Sequence, residues 1–179
     1  MSDKNWETIS EKDRGNFRIF SLREKLARSP RTGNEHPFII LEGNDWINVI
    51  AKTSSEELVM VKQYRFGTSK FELEIPGGII EKGETPIEAG IRELREETGF
   101  VGSVHKYLGH VDPNPAFQAN KCHTVLIENC QKLEEQELDP GEDIETEIMS
   151  ERKVKKLIDK GKIRHSLVMS AFKLYDIYK

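Results

Sequence analysis

Between Gly78 and Phe100 the chain reads GIIEKGETPIEAGIRELREETGF. This stretch restricts the fold more than any other, because its local signals specify one helix with fixed ends. Thr85 is a good N-cap, Pro86 suits the first helical position, and Glu88 completes a T-x-x-E capping box. Gly99 is placed to close the helix in the left-handed conformation that glycine adopts cheaply. At about 100° per residue, Ile87, Ile91, Leu94 and Thr98 share one narrow stripe, expected to be buried. Glu93 and Glu97 lie one turn apart on a neighbouring face with Glu96 beside them, and Gly90 lies one turn earlier on that face.

Two features of this helix work against it as a helix. A glycine in its interior costs roughly 1 kcal/mol against alanine, so something is expected to approach the backbone closely at Gly90. Like charges one turn apart cost about 0.2–0.5 kcal/mol per pair. A solvated acidic face is the plain reading of Glu93, Glu96 and Glu97. The other is a cation site: carboxylates beside the Pro76-Gly77-Gly78 turn suit Mg²⁺ or Mn²⁺, which take oxygen ligands and are often shared with substrate phosphates. Arg92 can pair with these acids and hold their rotamers.

The stretch fits, without a mismatch, the box G-x5-E-x7-R-E-U-x-E-E-x-G-U, where U is a bulky apolar residue, and it resembles the signature of the Nudix hydrolases. Gly78, Glu84, Arg92, Glu93, Leu94, Glu96, Glu97, Gly99 and Phe100 fill the fixed positions. The resemblance implies an α/β fold, the α/β/α sandwich of that family with a mixed sheet, and metal-dependent cleavage of a phosphoanhydride. It implies Glu93 and Glu97 as the principal metal ligands and catalytic groups, with Glu96 shared or supporting and the Gly77 carbonyl completing the shell. Gly78, Glu84, Arg92 and Gly99 take structural parts, Glu84 and Arg92 bracing the turn from loop to helix.

Composition sets the outer limits. The chain has 179 residues, suiting one α/β domain with a small extension. A net charge of −4 argues against a nucleic-acid partner, which usually demands a basic excess. No apolar run approaches the ~20 residues that span a bilayer, and MSDKNWETIS is too polar for a signal peptide, so no membrane association is expected. Cys122 and Cys130 lack metal-ligand spacing and read as reduced thiols of a cytoplasmic protein.

In chain order, Phe17–Leu22, Pro37–Glu42 and Trp46–Ala51 read as strands of a small N-terminal antiparallel sheet, with a turn at 29–34 and a tight hairpin turn at Gly43-Asn44-Asp45. The domain boundary is placed between 45 and 46, giving an N-terminal sheet (1–45) and a hydrolase domain (46–179). Glu57–Tyr64, Phe71–Ile75, Gly102–Val111, Thr124–Glu128 and Ile144–Met149 read as further strands, and Asp112–Lys121 as an irregular loop. Ser150 caps a helix from Glu151 to about Lys160, and a last helix runs from about Ser166 to Tyr178.

Three features beyond the box are similar to the ADP-ribose pyrophosphatase and nucleoside-diphosphate-sugar hydrolase branch: the N-terminal sheet, the run VKQYRFG…ELEIPGG, and Pro115 downstream of Gly99. That branch implies a nucleoside diphosphate sugar substrate and a homodimer formed by exchange of the N-terminal sheet. Arg18, Arg28, Arg31 and Trp46 are then candidates for reaching the partner's site, or else members of an exposed basic strand and a core tryptophan. Arg65 and Glu74 are placed at the substrate; Arg65 either binds phosphate or pairs with Glu72 or Glu74. Asn114 and Phe117 are candidates for the sugar or base. The resemblance draws the general base from the acidic loop 134–145, where Glu142 best matches and Pro140 stands where some members carry glutamate. That loop could also be merely solvated. His110, His123 and His165 read as structural. A nucleoside triphosphate or capped RNA as substrate, and a non-catalytic ADP-ribose-binding module, are the competing readings.

Overall fold

A computed structural model describes residues 5–179, so part of the polar N-terminus MSDKNWETIS lies outside the described residues. Two compact units emerge. One combines the described part of Met1–Asn44 with Asp112–Lys121; the other takes Asp45–Val111 and Cys122–Lys179.

The first unit is a three-stranded antiparallel sheet in the order β1 (Glu7–Phe17), β2 (Phe20–Arg28), β3 (Glu35–Glu42). The expected strand at Phe17–Leu22 is instead a hairpin. Arg18 adopts φ 46°, reversing the chain between Phe17 and Phe20. The strand before it, ETISEKDRGNF, has almost every side chain exposed, so no apolar alternation announces it. Charges register across the sheet: Arg28 pairs with Glu7 at 2.7 Å and Glu35 at 2.8 Å, each its cross-strand neighbour. The loop joins this unit through Leu41, whose N–H donates to Phe117 and whose carbonyl accepts from Ala119.

The second unit holds a seven-stranded mixed sheet, β10-β5-β4-β9-β7, with β6 on β5 and β8 on β9. Its strands are β4 (Trp46–Thr53), β5 (Glu57–Arg65), β6 (Lys70–Glu74), β7 (Phe100–Val101), β8 (Val104–Val111), β9 (Cys122–Lys132) and β10 (Ile144–Ser150). Here the expectation for Trp46–Ala51 fails. This strand is central in the large sheet, pairing in parallel with β9, and Gly43-Asn44-Asp45 links two sheets rather than closing a hairpin. The reason is in its residues: Ile47, Val49, Ile50 and Ala51 form a nearly continuous apolar run, the pattern of a strand covered on both faces.

Alternation along β4 sorts two cores. Ile50 faces α2 (Glu151–Asp159) and α3 (Ser166–Tyr178), packing with Met60, Leu126, Val154, Val168 and Phe172. Ile47, Val49 and Ala51 face α1 (Pro86–Thr98), packing with Val125, Ala89 and Leu94. This is the expected α/β/α sandwich. No helix among the described residues is long and apolar enough to cross a membrane.

α1 begins and ends as its sequence specifies. The Thr85 hydroxyl accepts from Glu88 N, the Glu88 carboxylate accepts from Thr85 N, and Gly99 takes φ 71°. Its buried face is rotated from the expected stripe, however. Leu94 and Thr98 are buried, Ile87 and Ile91 only half-buried, and Ala89, Gly90 and Glu97 complete the contact surface. Gly90 causes the rotation: a Cβ there would stand 2.5 Å from Val125 Cγ2, so its absence lets α1 settle directly on the sheet.

Gly90→Ala should therefore destabilise the chain. Overpacking costs about 1–3 kcal/mol against the roughly 1 kcal/mol that alanine returns in helix propensity. A lower urea midpoint with an unchanged slope is expected; a midpoint at or above the parent's would refute the close approach.

Candidate active site

The site is built where the Pro76-Gly77-Gly78 turn presses against β4. Ile47 N donates to Gly78 O at 2.9 Å, Gly78 N to Ile47 O at 3.1 Å, and Val49 N to Pro76 O at 2.8 Å. A Cβ on Gly77 would fall 2.1 Å from the Ile47 carbonyl oxygen, and one on Gly78 would fall 2.3 Å from Glu93 Oε1. Two glycines are thus required by space: one so the turn can lie on the strand, the other so a carboxylate can lie on the turn.

Arg92 ties loop to helix. Its Nε and Nη2 donate to the two Glu84 oxygens at 2.7 and 2.9 Å, and Nη2 also reaches the Ile79 carbonyl at 2.9 Å. Nη1 donates to Glu93 at 2.9 Å and Glu96 at 3.1 Å. The bracing part read for Glu84 and Arg92 has this geometry.

Glu97 is 3 % exposed. The donor it meets is Gly77 N, at 2.9 Å from Oε2, so the glycine's N–H rather than its carbonyl faces this acid. Burial drives its pKa well above the ordinary value; the charges of Glu93 and Glu142 add to the rise, and the Gly77 N–H opposes it. Glu93 is raised as well, again chiefly by burial, with Glu96 and Glu142 adding to it against the pull of Arg92. Among the described residues no three acids, histidines or cysteines already form a cage; Arg92 draws Glu93 and Glu96 to itself. The donors nevertheless fit a hard divalent cation. They are carboxylate oxygens, burial makes two of the acids resist ionising, and Gly78 lets one of them lie directly against the turn.

Glu142 is exposed on the loop before β10, its carboxylate accepting from Asp139 N at 3.0 Å. Its charge bears on Glu93, Glu97 and Arg65, which brings the acidic loop into the field of the site.

A cavity of about 740 Å³ adjoins the turn, lined by Gly77, Gly78, Trp46, Arg65, Glu74 and His165 among others. Arg65 donates from Nε and Nη2 to both oxygens of Glu74, at 2.9 and 2.8 Å, the ion pair weighed as an alternative to phosphate binding. Glu74 is 2 % exposed and also accepts from His165 Nδ1 at 3.0 Å. Burial pushes its pKa up, but the bonds from Arg65 and His165 outweigh that and bring it down to about 2. Glu74 therefore bears on a ligand through its two partners.

The other expected site residues have contacts of their own. Arg28 is held by its ion pairs in the three-stranded sheet. Arg18 makes the turn between β1 and β2. Arg31 lines a second cavity of about 380 Å³ with Trp6 and His36. The Asn114 carbonyl accepts from Phe117 N and Gln118 N, closing a turn within the loop 112–121. His110 and His123 share the Tyr107 hydroxyl at 3.2 and 3.0 Å, and His123 also meets Asp45, consistent with a structural reading. His165 stands in the cavity wall and is bonded to buried Glu74. No spacing in the sequence marks it, since its partner lies ninety-one positions away.

Glu97's raised pKa means that the folded chain holds this proton more tightly than the unfolded one. Stability thus falls as pH rises from 4.5 towards the folded value, so above 4.5 a buried Glu97 without a cation is a burden. Glu97→Gln should raise the metal-free melting temperature at pH 8, by roughly 2–4 °C for each kcal/mol relieved. It should also lose most of the rise that Mg²⁺ gives the parent chain. Equal Mg²⁺ shifts in scanning fluorimetry would remove Glu97 from cation binding.

Comparison with known proteins agrees with this geometry. The family profile described as the NUDIX domain matches residues 46–172. The chain is 33 % identical over 118 residues to an ADP-ribose pyrophosphatase of Bacillus subtilis, covering 65 % of this chain and 64 % of that protein. It is 30 % identical over 152 residues to an uncharacterized Nudix hydrolase of Schizosaccharomyces pombe, covering 80 % and 70 %. With the ADP compounds hydrolase NudE of Escherichia coli it shares 30 % over 94 residues, covering 51 % and 50 %. The matched segments thus span less than two thirds of the Bacillus and Escherichia proteins. A crystal structure of an ADP compounds hydrolase has the same fold, with a TM-score of 0.88 at 20 % identity over 99 % of this chain and 96 % of that one. A profile match across most of the chain, which takes in the glycine turn and the acidic helix, means that this protein belongs to the Nudix family.

Proposed function

We propose that this chain hydrolyses the pyrophosphate bond of nucleoside diphosphate sugars such as ADP-ribose, releasing a nucleoside monophosphate and a sugar phosphate. The observation that carries this reading is the pairing of half-buried Glu93 and buried Glu97, both reluctant to ionise, with a glycine turn that opens onto a cavity bearing Arg65. The Bacillus and Escherichia relatives named ADP-ribose pyrophosphatase and ADP compounds hydrolase support the substrate class.

Glu93 and Glu97, with Glu96 and Gly77, would hold the divalent cation that Nudix hydrolases generally use; Mg²⁺ or Mn²⁺ fits the oxygen donors. When bound, such an ion neutralises the diphosphate and acidifies a water molecule. Arg92 and Glu84 fix the helix start so that the carboxylates keep their places. Arg65 Nη1, the guanidinium nitrogen that Glu74 leaves open, binds a phosphate oxygen. Glu142 accepts the proton as water oxygen bonds to phosphorus and the bridging P–O bond breaks, leaving its electron pair on the departing phosphate. The same reading places the protein in the cytoplasm as a homodimer built through its N-terminal sheet. The free, buried thiols of Cys122 and Cys130 support a reducing compartment.

Incubation with Mg²⁺ and a panel of ADP-ribose, ADP-glucose, GDP-mannose and nucleoside triphosphates tests the substrate. A nucleoside monophosphate with a sugar phosphate is expected. Pyrophosphate released from the triphosphates alone, or binding of ADP-ribose without turnover, would overturn the reading. Glu142→Gln should lower kcat by about 10²–10³-fold while the Mg²⁺-induced rise in melting temperature persists. An unchanged pH–rate profile would place the base elsewhere.

A further inference from the structure

The cavity beside Gly77 and Gly78 has Arg65, Glu72, Glu74 and Arg164 in its wall, together with His165. Most of that charge is matched. Glu74 engages Arg65 through two bonds, and Lys70 Nζ stands 3.1 Å from Glu72. Arg164 has no carboxylate partner among the described residues. Arg164 is an exposed residue that lines the cavity, and its fork of donors is not taken by a carboxylate.

The turn that carries Arg164 is fixed from both sides. Ile163 is buried in the core beneath α2 and α3. His165 donates from Nδ1 to Glu74, whose carboxyl stays ionised at neutral pH and so must accept. His165 occupies the N-cap of α3 without capping it, whereas Thr85 and Ser150 cap α1 and α2 with their hydroxyls. The imidazole thus forgoes a stabilising local bond of the kind a serine would make and is committed to Glu74 instead. With its two neighbours anchored, Arg164 is presented to the cavity.

We propose that Arg164 is a substrate-binding residue of this pocket, gripping the diphosphate of a nucleoside diphosphate sugar, and that His165 is the positioning residue that holds it there through Glu74. The assignment rests on the substrate class proposed above. Arg65 spends Nε–H and one Nη2–H on Glu74, whereas Arg164, with no carboxylate to hold it, keeps all five of its donors for a phosphate.

Steady-state kinetics with ADP-ribose and Mg²⁺ provide the test. Arg164→Ala should raise KM about 10-fold with a smaller change in kcat, and Arg164→Lys should recover part of the loss. KM of the parent chain should climb with salt more steeply than that of Arg164→Ala. His165→Ala should raise KM as well, and the double variant should be no worse than Arg164→Ala. His165→Asn, whose amide can donate to Glu74, should return KM to the parent value. Arg164→Gln, of similar reach but neutral, serves if alanine disturbs folding in circular dichroism. A KM within twofold of the parent for Arg164→Ala, the same salt slope, or a His165→Asn as impaired as His165→Ala would each overturn the proposal. If the parent cleaves another sugar of the panel instead, that compound is the probe. A parent chain that cleaves none sinks the proposed function and this assignment together; a parent that cleaves while Arg164→Ala is indistinguishable sinks only the assignment.

Discussion

The backbone contact between the Gly77-Gly78 turn and Ile47 of β4 is the constraint from which the rest of the site follows. Two hydrogen bonds zip the turn to the strand, and the space left for a side chain at Gly77 is nil. With the turn fixed there, Gly77 N can meet Glu97 and Gly78 can receive Glu93. α1 must then lie close against the sheet, and Gly90 permits it. Arg92 completes the arrangement by tying the helix back to Glu84 and Ile79 at the loop's far end. Glu93 and Glu97 are thus each placed by a contact to something that is not helix.

Electrostatically the second unit keeps two kinds of buried carboxylate a short stretch of chain apart. Glu74 has its cations already, and its pKa is pulled down to about 2. Glu97 has a lone backbone donor, and its proton is held up by burial. The contrast sorts their roles. A satisfied carboxylate braces its neighbours, while one short of positive charge waits for a ligand that brings it.

The sequence was most legible where local chemistry decides the outcome. Thr85, Pro86, Glu88 and Gly99 specify the helix and its ends, and the structure follows them closely. Ser150 likewise caps α2. The failures are tertiary. The run at Phe17–Leu22 has the composition of a strand but the chain turns at Arg18, and the strand ahead of it exposes nearly all its side chains, leaving no alternation to detect. Trp46–Ala51 reads as a strand of the small sheet but joins the large one, because a strand's partner depends on which distant run is apolar on both faces. The Glu74–His165 bond joins the end of β6 to the start of α3, and nothing local announces it. The buried face of α1 was displaced for the same reason: a glycine's lack of bulk matters only against a particular neighbour, Val125.

The parallel pairing of β4 with β9 also governs when the site can come into being. Trp46 through Ala51 find their partners at Cys122 through Ile127, after β5, β6, α1, β7 and β8 have intervened. Such far-separated pairing is slow to close. During synthesis the glycine turn and the acidic helix leave the ribosome well before the strand whose Val125 packs beneath Gly90. The nascent chain therefore carries its carboxylates for some time in water, unburied and ordinary in acidity, and they acquire their chemical character only when the late strand docks.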